Sequence, residues 1–162
     1  MKPRFYIVDV FSERPYGGNP LAVVVADEWL PDAVMQQIAA EMNFSETAFA
    51  ASTPEDGAYR VRIFTPAREI AFAGHPILGA AWVLRHHLCK DSPEQVRLVL
   101  AVGDLPVAFE TEAGREIAWF QAPPIFWVPL AHRSGLPGRS ACRPGQLRRT
   151  PPSRWYRPVR RP

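Results

Sequence analysis

The chain has 162 residues and a net charge of +3, long enough for one domain with a real core or for one half of a two-domain protein. Its two cysteines, Cys89 and Cys142, exclude a disulfide framework and a paired-cysteine metal site, so a reducing cytoplasm is the expected compartment. No stretch approaches the roughly 20 apolar residues that span a bilayer, and the apolar run before Val10 is too short for a signal peptide and broken by Asp9, so a soluble protein with no membrane partner is expected.

Phe5 to Phe11 is rich in aromatic and β-branched residues and reads as a first strand. Tyr16-Gly17-Gly18-Asn19-Pro20 reads as a turn, with two glycines free to take positive φ, and Leu21 to Ala26 as a second strand. Asn19 either offers its amide to a ligand there or serves only the turn. Pro31 opens a helix whose stripe of Val34, Ile38 and Met42, flanked by Met35 and Ala39, packs one face on a sheet.

In Asn43-Phe44-Ser45-Glu46-Thr47-Ala48-Phe49-Ala50 the hydrophobic period changes toward two and a strand begins. Glu46 stands at that change, between two hydroxyl residues in apolar surroundings. If it is buried, desolvation favours the neutral carboxyl, the state a general acid needs; if it is a strand-edge residue, it is only a solvated charge. Glu55-Asp56-Gly57 turns into a half-buried strand in which Tyr59, Val61 and Ile63 alternate with Arg60 and Arg62. Thr65-Pro66 breaks it, and Glu69 to Phe72 pairs back.

Gly74-His75-Pro76 then opens an apolar helix. Pro76 suits the first helical position, Gly74 permits a sharp turn, and His75 falls at the cap. From Ile77 to Leu84 the residues are apolar on every side, as in a helix surrounded by protein. A helix start inside a fold presents unpaired N–H groups and about half a positive charge, which would attract a substrate carboxylate; a merely well-capped core helix is the other reading. His86, His87 and Cys89 close this helix. Adjacent histidines point about 100° apart, so cations at a helix C-terminus are preferred to a metal site.

Val96 to Val102, Leu105 to Glu112 and Arg115 to Gln121 read as a meander of three strands, with turns at Gly103-Asp104 and Ala113-Gly114. Up to Glu116 there are 16 acidic residues and 10 Lys and Arg, a balance of 10 − 16 = −6; beyond it stand 9 Arg, no Lys and no acid. From about Trp127 to Pro162 the chain holds 9 Arg and 7 Pro in 36 residues, with no amphipathic period, a composition that cannot offset its own ordering entropy. Such a segment is either a basic arm that binds nucleic acid through phosphate charge or a GC-rich coding region read out of frame. The second reading is preferred because the break falls inside a strand-and-linker pattern.

Three pieces carry a family resemblance: D-V-F-S-E-R-P-Y-G-G-N-P-L-A-V at Asp9 to Val23, N-F-S-E-T-A-F at Asn43 to Phe49, and R-I-F-T-P-A-R-E-I-A-F-A-G-H-P-I-L-G-A-A at Arg62 to Ala81. Together, in this order, they resemble the phenazine biosynthesis PhzF family of isomerases, within the diaminopimelate epimerase-like fold. The likeness covers residues 1–125, and residues 126–162 stand apart as the Arg- and Pro-rich segment. It implies an α+β lobe, a mixed or antiparallel sheet curled around a central apolar helix, in an enzyme of two similar lobes with the active site between them.

The resemblance also implies a cofactor-free isomerase, with no metal, that moves a proton between carbons of a small carboxylate substrate. The family's catalytic glutamate falls on Glu46 and its histidine on His75. Gly74 falls in the pocket for the substrate carboxylate, and Asn19 and Ser45 are further candidates for substrate contact. The paired cysteines of the related epimerases have no match in Cys89 and Cys142. The family's chain is about twice as long, and the aspartate and serine of its second lobe have no counterpart here. The expectation is therefore half of an active site, with little or no turnover by this chain alone. The alternative is a non-catalytic fragment, or a lobe that associates with another chain, such as a second copy of itself in a homodimer.

Overall fold

The computed structural model describes residues 2–53 and 57–123, together with the backbone of 159–160. The expectations for Glu55 and Asp56, for residues 124–158 and for 161 and 162 lie outside the described residues. In chain order the elements are β1 (Arg4–Val10), β2 (Asn19–Ala26), α1 (Asp32–Met42), β3 (Thr47–Ser52), β4 (Ala58–Phe64), β5 (Glu69–Ile70), α2 (Gly74–His87), β6 (Gln95–Leu100), β7 (Gly103–Glu112), β8 (Arg115–Phe120) and β9 (Val159–Arg160).

The strands form one sheet in the order β8-β7-β6-β4-β3-β2-β1-β9, with β5 paired to β4. β2 with β3 and β4 with β6 are parallel, each pair joined by a connection that carries a helix, and the remaining pairs are antiparallel. Helix α2 touches β1, β2 and β3 on one flank and β6, β7 and β8 on the other. One helix can reach strands so far apart in the order only if the sheet bends around it. The α+β lobe with a mixed sheet curled about a central apolar helix is therefore the fold observed.

The side-chain alternation of a strand builds the two layers. Val8, Val10, Leu21, Val23, Ala48, Ala50, Val61 and Ile63 face inward and pack with Ile77 to Leu84 of α2. Val24, Phe49 and Phe64 face outward and meet α1 through Met35 and Ala39. Hence α2 is buried on every side from His75 to Leu84, whereas α1 is covered on one face only. The stripe predicted for α1 is rotated: Met35 and Ala39 form its buried centre, and Val34 is exposed.

Three other local expectations are corrected. Gly17 and Gly18 do not take positive φ; the left-handed residues around that turn are Phe11 and Tyr16. The glycines are needed for close approach, since a Cβ on Gly18 would lie 2.3 Å from the Val10 carbonyl oxygen. Helix α2 begins two residues earlier than its proline implied: Ala73, not His75, is the cap, and Pro76 lies in the first turn, where its missing N–H has no helical partner to lose. Finally, the β6–β7 turn sits on Ala101-Val102, and Gly103 opens β7 with φ 114°.

The β7–β8 hairpin does turn at Ala113-Gly114, with φ of 50° and 76°. Two successive positive φ values are the signature of the turn type that suits hairpin twist, and alanine is poorly adapted to its first position. Ala113→Asn is expected to raise folding stability by about 1 kcal/mol. The urea midpoint measures this, and a lowered midpoint would contradict it.

Candidate functional site

Glu46 precedes β3 and continues the inward alternation of Ala48 and Ala50, so its side chain is directed toward α2. The start of α2 carries His75. The two meet with Glu46 Oε2 3.4 Å from His75 Nδ1, and their side chains are only 19% and 8% exposed. The distance is that of an ion pair, yet the groups are not aligned for a hydrogen bond, and Glu46 Oε2 and His75 Nε2 are both buried without a hydrogen-bonding partner among the described residues. Buried polar atoms are nearly always satisfied, so two unsatisfied atoms at one place mark a site with hydrogen-bonding capacity left for a ligand.

Around this pair the other candidates divide. Gly74 is the first residue of α2, and among the described residues a Cβ there would meet only Phe120 Cζ, at 4.0 Å. Ala73 makes no side-chain capping bond, and the first N–H groups of a helix have no acceptor within the helix itself. Ser45 Oγ lies 3.4 Å from Asn19 Oδ1 and donates to it, a long contact that ties the start of β2 to the residue next to Glu46. The five candidates thus lie at the end of the half-barrel where α2 begins, in two touching pairs with Gly74 beside His75.

Two further residues at this end escape a reading of the sequence. The Phe11 ring stands 6.4 Å from the His75 ring, on a residue held at φ 62° and over a third exposed. Phe72 meets Phe120 edge to face, 6.0 Å away, close to Gly74. An aromatic residue in a turn carries no local mark of what it will face, so tertiary structure alone reveals these walls.

Burial lowers the His75 pKa below its ordinary value of 6.5, and the Glu46 charge opposes that shift in part. Above pH 6.5 the imidazole is neutral in both the folded and unfolded chain. As pH falls, the unfolded chain takes up this proton first, so the folded state loses stability from about pH 6.5 downward. His75→Asn is expected to flatten this decline between pH 6.5 and 5 in urea midpoints; an unchanged slope would contradict the assignment.

The other end of α2, about 20 Å away at 1.5 Å per residue, is built differently. Here the His86 and His87 side chains diverge: His86 Nε2 lies 2.9 Å from Glu116 Oε1, whereas His87 stacks on Tyr6 at 4.8 Å. Arg85 also pairs with Glu116, which places a guanidinium at the negative end of the helix. A shallow cleft opens nearby between Arg4, Asp27, Ser52 and Leu88, remote from Glu46 and His75. Among the described residues no group of three or more His, Cys, Asp or Glu is arranged to hold a metal ion, and no helix is long and apolar enough to cross a membrane.

Comparison with known proteins gives a consistent result. Residues 8–138 match the sequence model of the PhzC-PhzF family, described as phenazine biosynthesis-like protein. The chain is 39% identical over 122 residues to a trans-2,3-dihydro-3-hydroxyanthranilate isomerase of Pseudomonas aeruginosa, covering 75% of this chain and 43% of the relative. With an uncharacterized isomerase of Pasteurella multocida it shares 51% identity over 100 residues, 61% of this chain and 34% of the relative. Among solved structures, a phenazine biosynthesis PhzF-family protein of Enterococcus faecalis superposes with a TM-score of 0.62 at 38% identity, over 78% of this chain and 48% of that one. The chain spans about half the length of the curated relatives it matches.

Proposed function

Since the chain belongs to the phenazine biosynthesis-like PhzC-PhzF family, we propose that it supplies one half of the acid–base site of a cofactor-independent isomerase, with Glu46 as the group that carries the proton. The observation that bears most weight is the buried contact between Glu46 and His75 at the uncapped start of α2. The N–H groups of Gly74 and His75 hold the carboxylate of a small substrate at the positive end of the helix. Asn19 and Ser45 contact the substrate beside it.

In this reading the Glu46 carboxylate removes a proton from one carbon. The electrons of the broken C–H bond move into the adjacent unsaturated system, and Glu46 returns the proton to another carbon, so no oxidant or reductant is consumed. His75, kept neutral by burial, has one N–H and one lone pair to bridge Glu46 and the substrate. The partners implied are a small carboxylate and a second lobe or second chain that closes the open side. A cytoplasmic setting accompanies this reading.

The test uses the substrate named for the Pseudomonas aeruginosa relative, trans-2,3-dihydro-3-hydroxyanthranilate, in deuterated water. The 162-residue chain is compared with a fusion that appends the second lobe of that relative. Deuterium should enter the substrate carbon framework with the fusion and scarcely at all with the chain alone. Equal turnover by both would remove the half-site, and an inert but folded fusion that binds the substrate would remove the isomerase.

A further inference from the structure

In β1 the residues Val8 and Val10 face α2, and Asp9 between them points to the other side of the sheet. It is nevertheless fully buried, an expensive place for a carboxylate that lacks partners. Its Oδ2 accepts the backbone N–H of Tyr16 at 2.8 Å, seven residues along the chain. Tyr16 is held at φ 62° and is 66% exposed.

The loop between them is pressed onto the end of β1. Gly18 lies so close that a Cβ would stand 2.3 Å from the Val10 oxygen and 2.7 Å from Ser12 Cβ. Ser12 Oγ donates to the Arg14 carbonyl at 2.6 Å and closes the near side. The two exits of this loop lead to the site: Phe11, with its ring 6.4 Å from His75, and Asn19, which accepts from Ser45 next to Glu46. Register places Val10 opposite Asn19 and Asp9 opposite Pro20, so Asp9 lies beneath both exits.

We propose that Asp9 is a positioning residue whose buried carboxylate, by accepting the Tyr16 N–H, clamps the Phe11–Gly18 loop and thereby sets Phe11 and Asn19 at the rim of the Glu46–His75 pair. Asp9 touches no reacting atom in this scheme. The proposal deepens the function proposed above and rests on it for its consequence, though its test does not.

The experiment follows the imidazole resonances of His75, the side-chain amide of Asn19 and the Tyr16 amide in the 162-residue chain at fixed pH. In Asp9→Ala the His75 and Asn19 resonances should move by more than a linewidth, and the Tyr16 amide should exchange about tenfold faster or more. His86, at the far end of α2, should stay in place. Asp9→Asn keeps an acceptor oxygen and should restore all three signals. A folded Asp9→Ala chain with His75 and Asn19 at their original positions would overturn the proposal, as would Asp9→Asn moving them equally. If Asp9→Ala does not fold, Asp9→Ser replaces it with a shorter acceptor; failure of both would make Asp9 a requirement of the whole fold and overturn the positioning role. The catalytic reading is tested separately by Glu46→Gln in the two-lobe fusion, so either can fail without the other.

Discussion

Glu46→Gln in the two-lobe fusion is expected to lower deuterium exchange into the substrate by about 10²- to 10⁴-fold, the range supplied by a positioned proton-transfer group. The exchange of one oxygen for an amide keeps the volume of the side chain and its place beside His75. It removes the capacity to accept and return a proton. Substrate affinity should change little, because the carboxylate-holding N–H groups belong to Gly74 and His75 at the start of α2. Undiminished exchange would take Glu46 out of the mechanism.

The largest expected effect on stability comes from Gly79. It lies in the middle of α2, where a Cβ would stand 2.5 Å from Leu21 Cδ2 and 2.8 Å from Val10 Cγ2. Both neighbours are fully buried, so a shift of either must be taken up by the packed core. Alanine gains about 1 kcal/mol of helix propensity over glycine, and overpacking of a tight core costs about 1–3 kcal/mol, so Gly79→Ala should be modestly destabilising. Gly79→Val adds two more carbons with a smaller propensity gain and should cost about 3 kcal/mol, a large part of an ordinary domain's stability. Urea unfolding followed by circular dichroism measures both, and a midpoint unchanged in Gly79→Val would show that α2 does not sit as close to β1 and β2 as described.

The tight approach at Gly79 explains why the fold was only partly legible from sequence. Periodicity located β1 to β8 and both helices, because alternation and an all-apolar run are local properties; it gave no sign of β9, which lies in the Arg- and Pro-rich segment and pairs with β1. It misplaced the buried face of α1 by one residue, since Val34 and Met35 are equally apolar and only the position of Phe49 and Phe64 decides between them. It read Gly17 and Gly18 as flexible turn residues, whereas their need is proximity to Val10 and Ser12, which is a tertiary fact.

The site divided in the same way. Glu46 was visible at a change of period and His75 at a helix start, each by its local chemistry, and the family motifs joined them. Their 3.4 Å contact depends on β3 and α2 sharing the inner layer. Asp9 showed in the sequence as a charge interrupting an apolar run and as the first residue of a family motif, with no role attached to it. One partner of its carboxylate, the Tyr16 N–H, is a backbone group and leaves no trace in residue identity.

The central claim is that Glu46 and His75 are one electrostatically coupled unit. It is tested most directly by the NMR titration of His75 in the 162-residue chain, wild type against Glu46→Gln. The Glu46 charge raises the His75 pKa against the lowering effect of burial, so its removal should move the titration midpoint further down. A His75 midpoint that stays in place, or rises, in folded Glu46→Gln would mean that the two groups do not share a site.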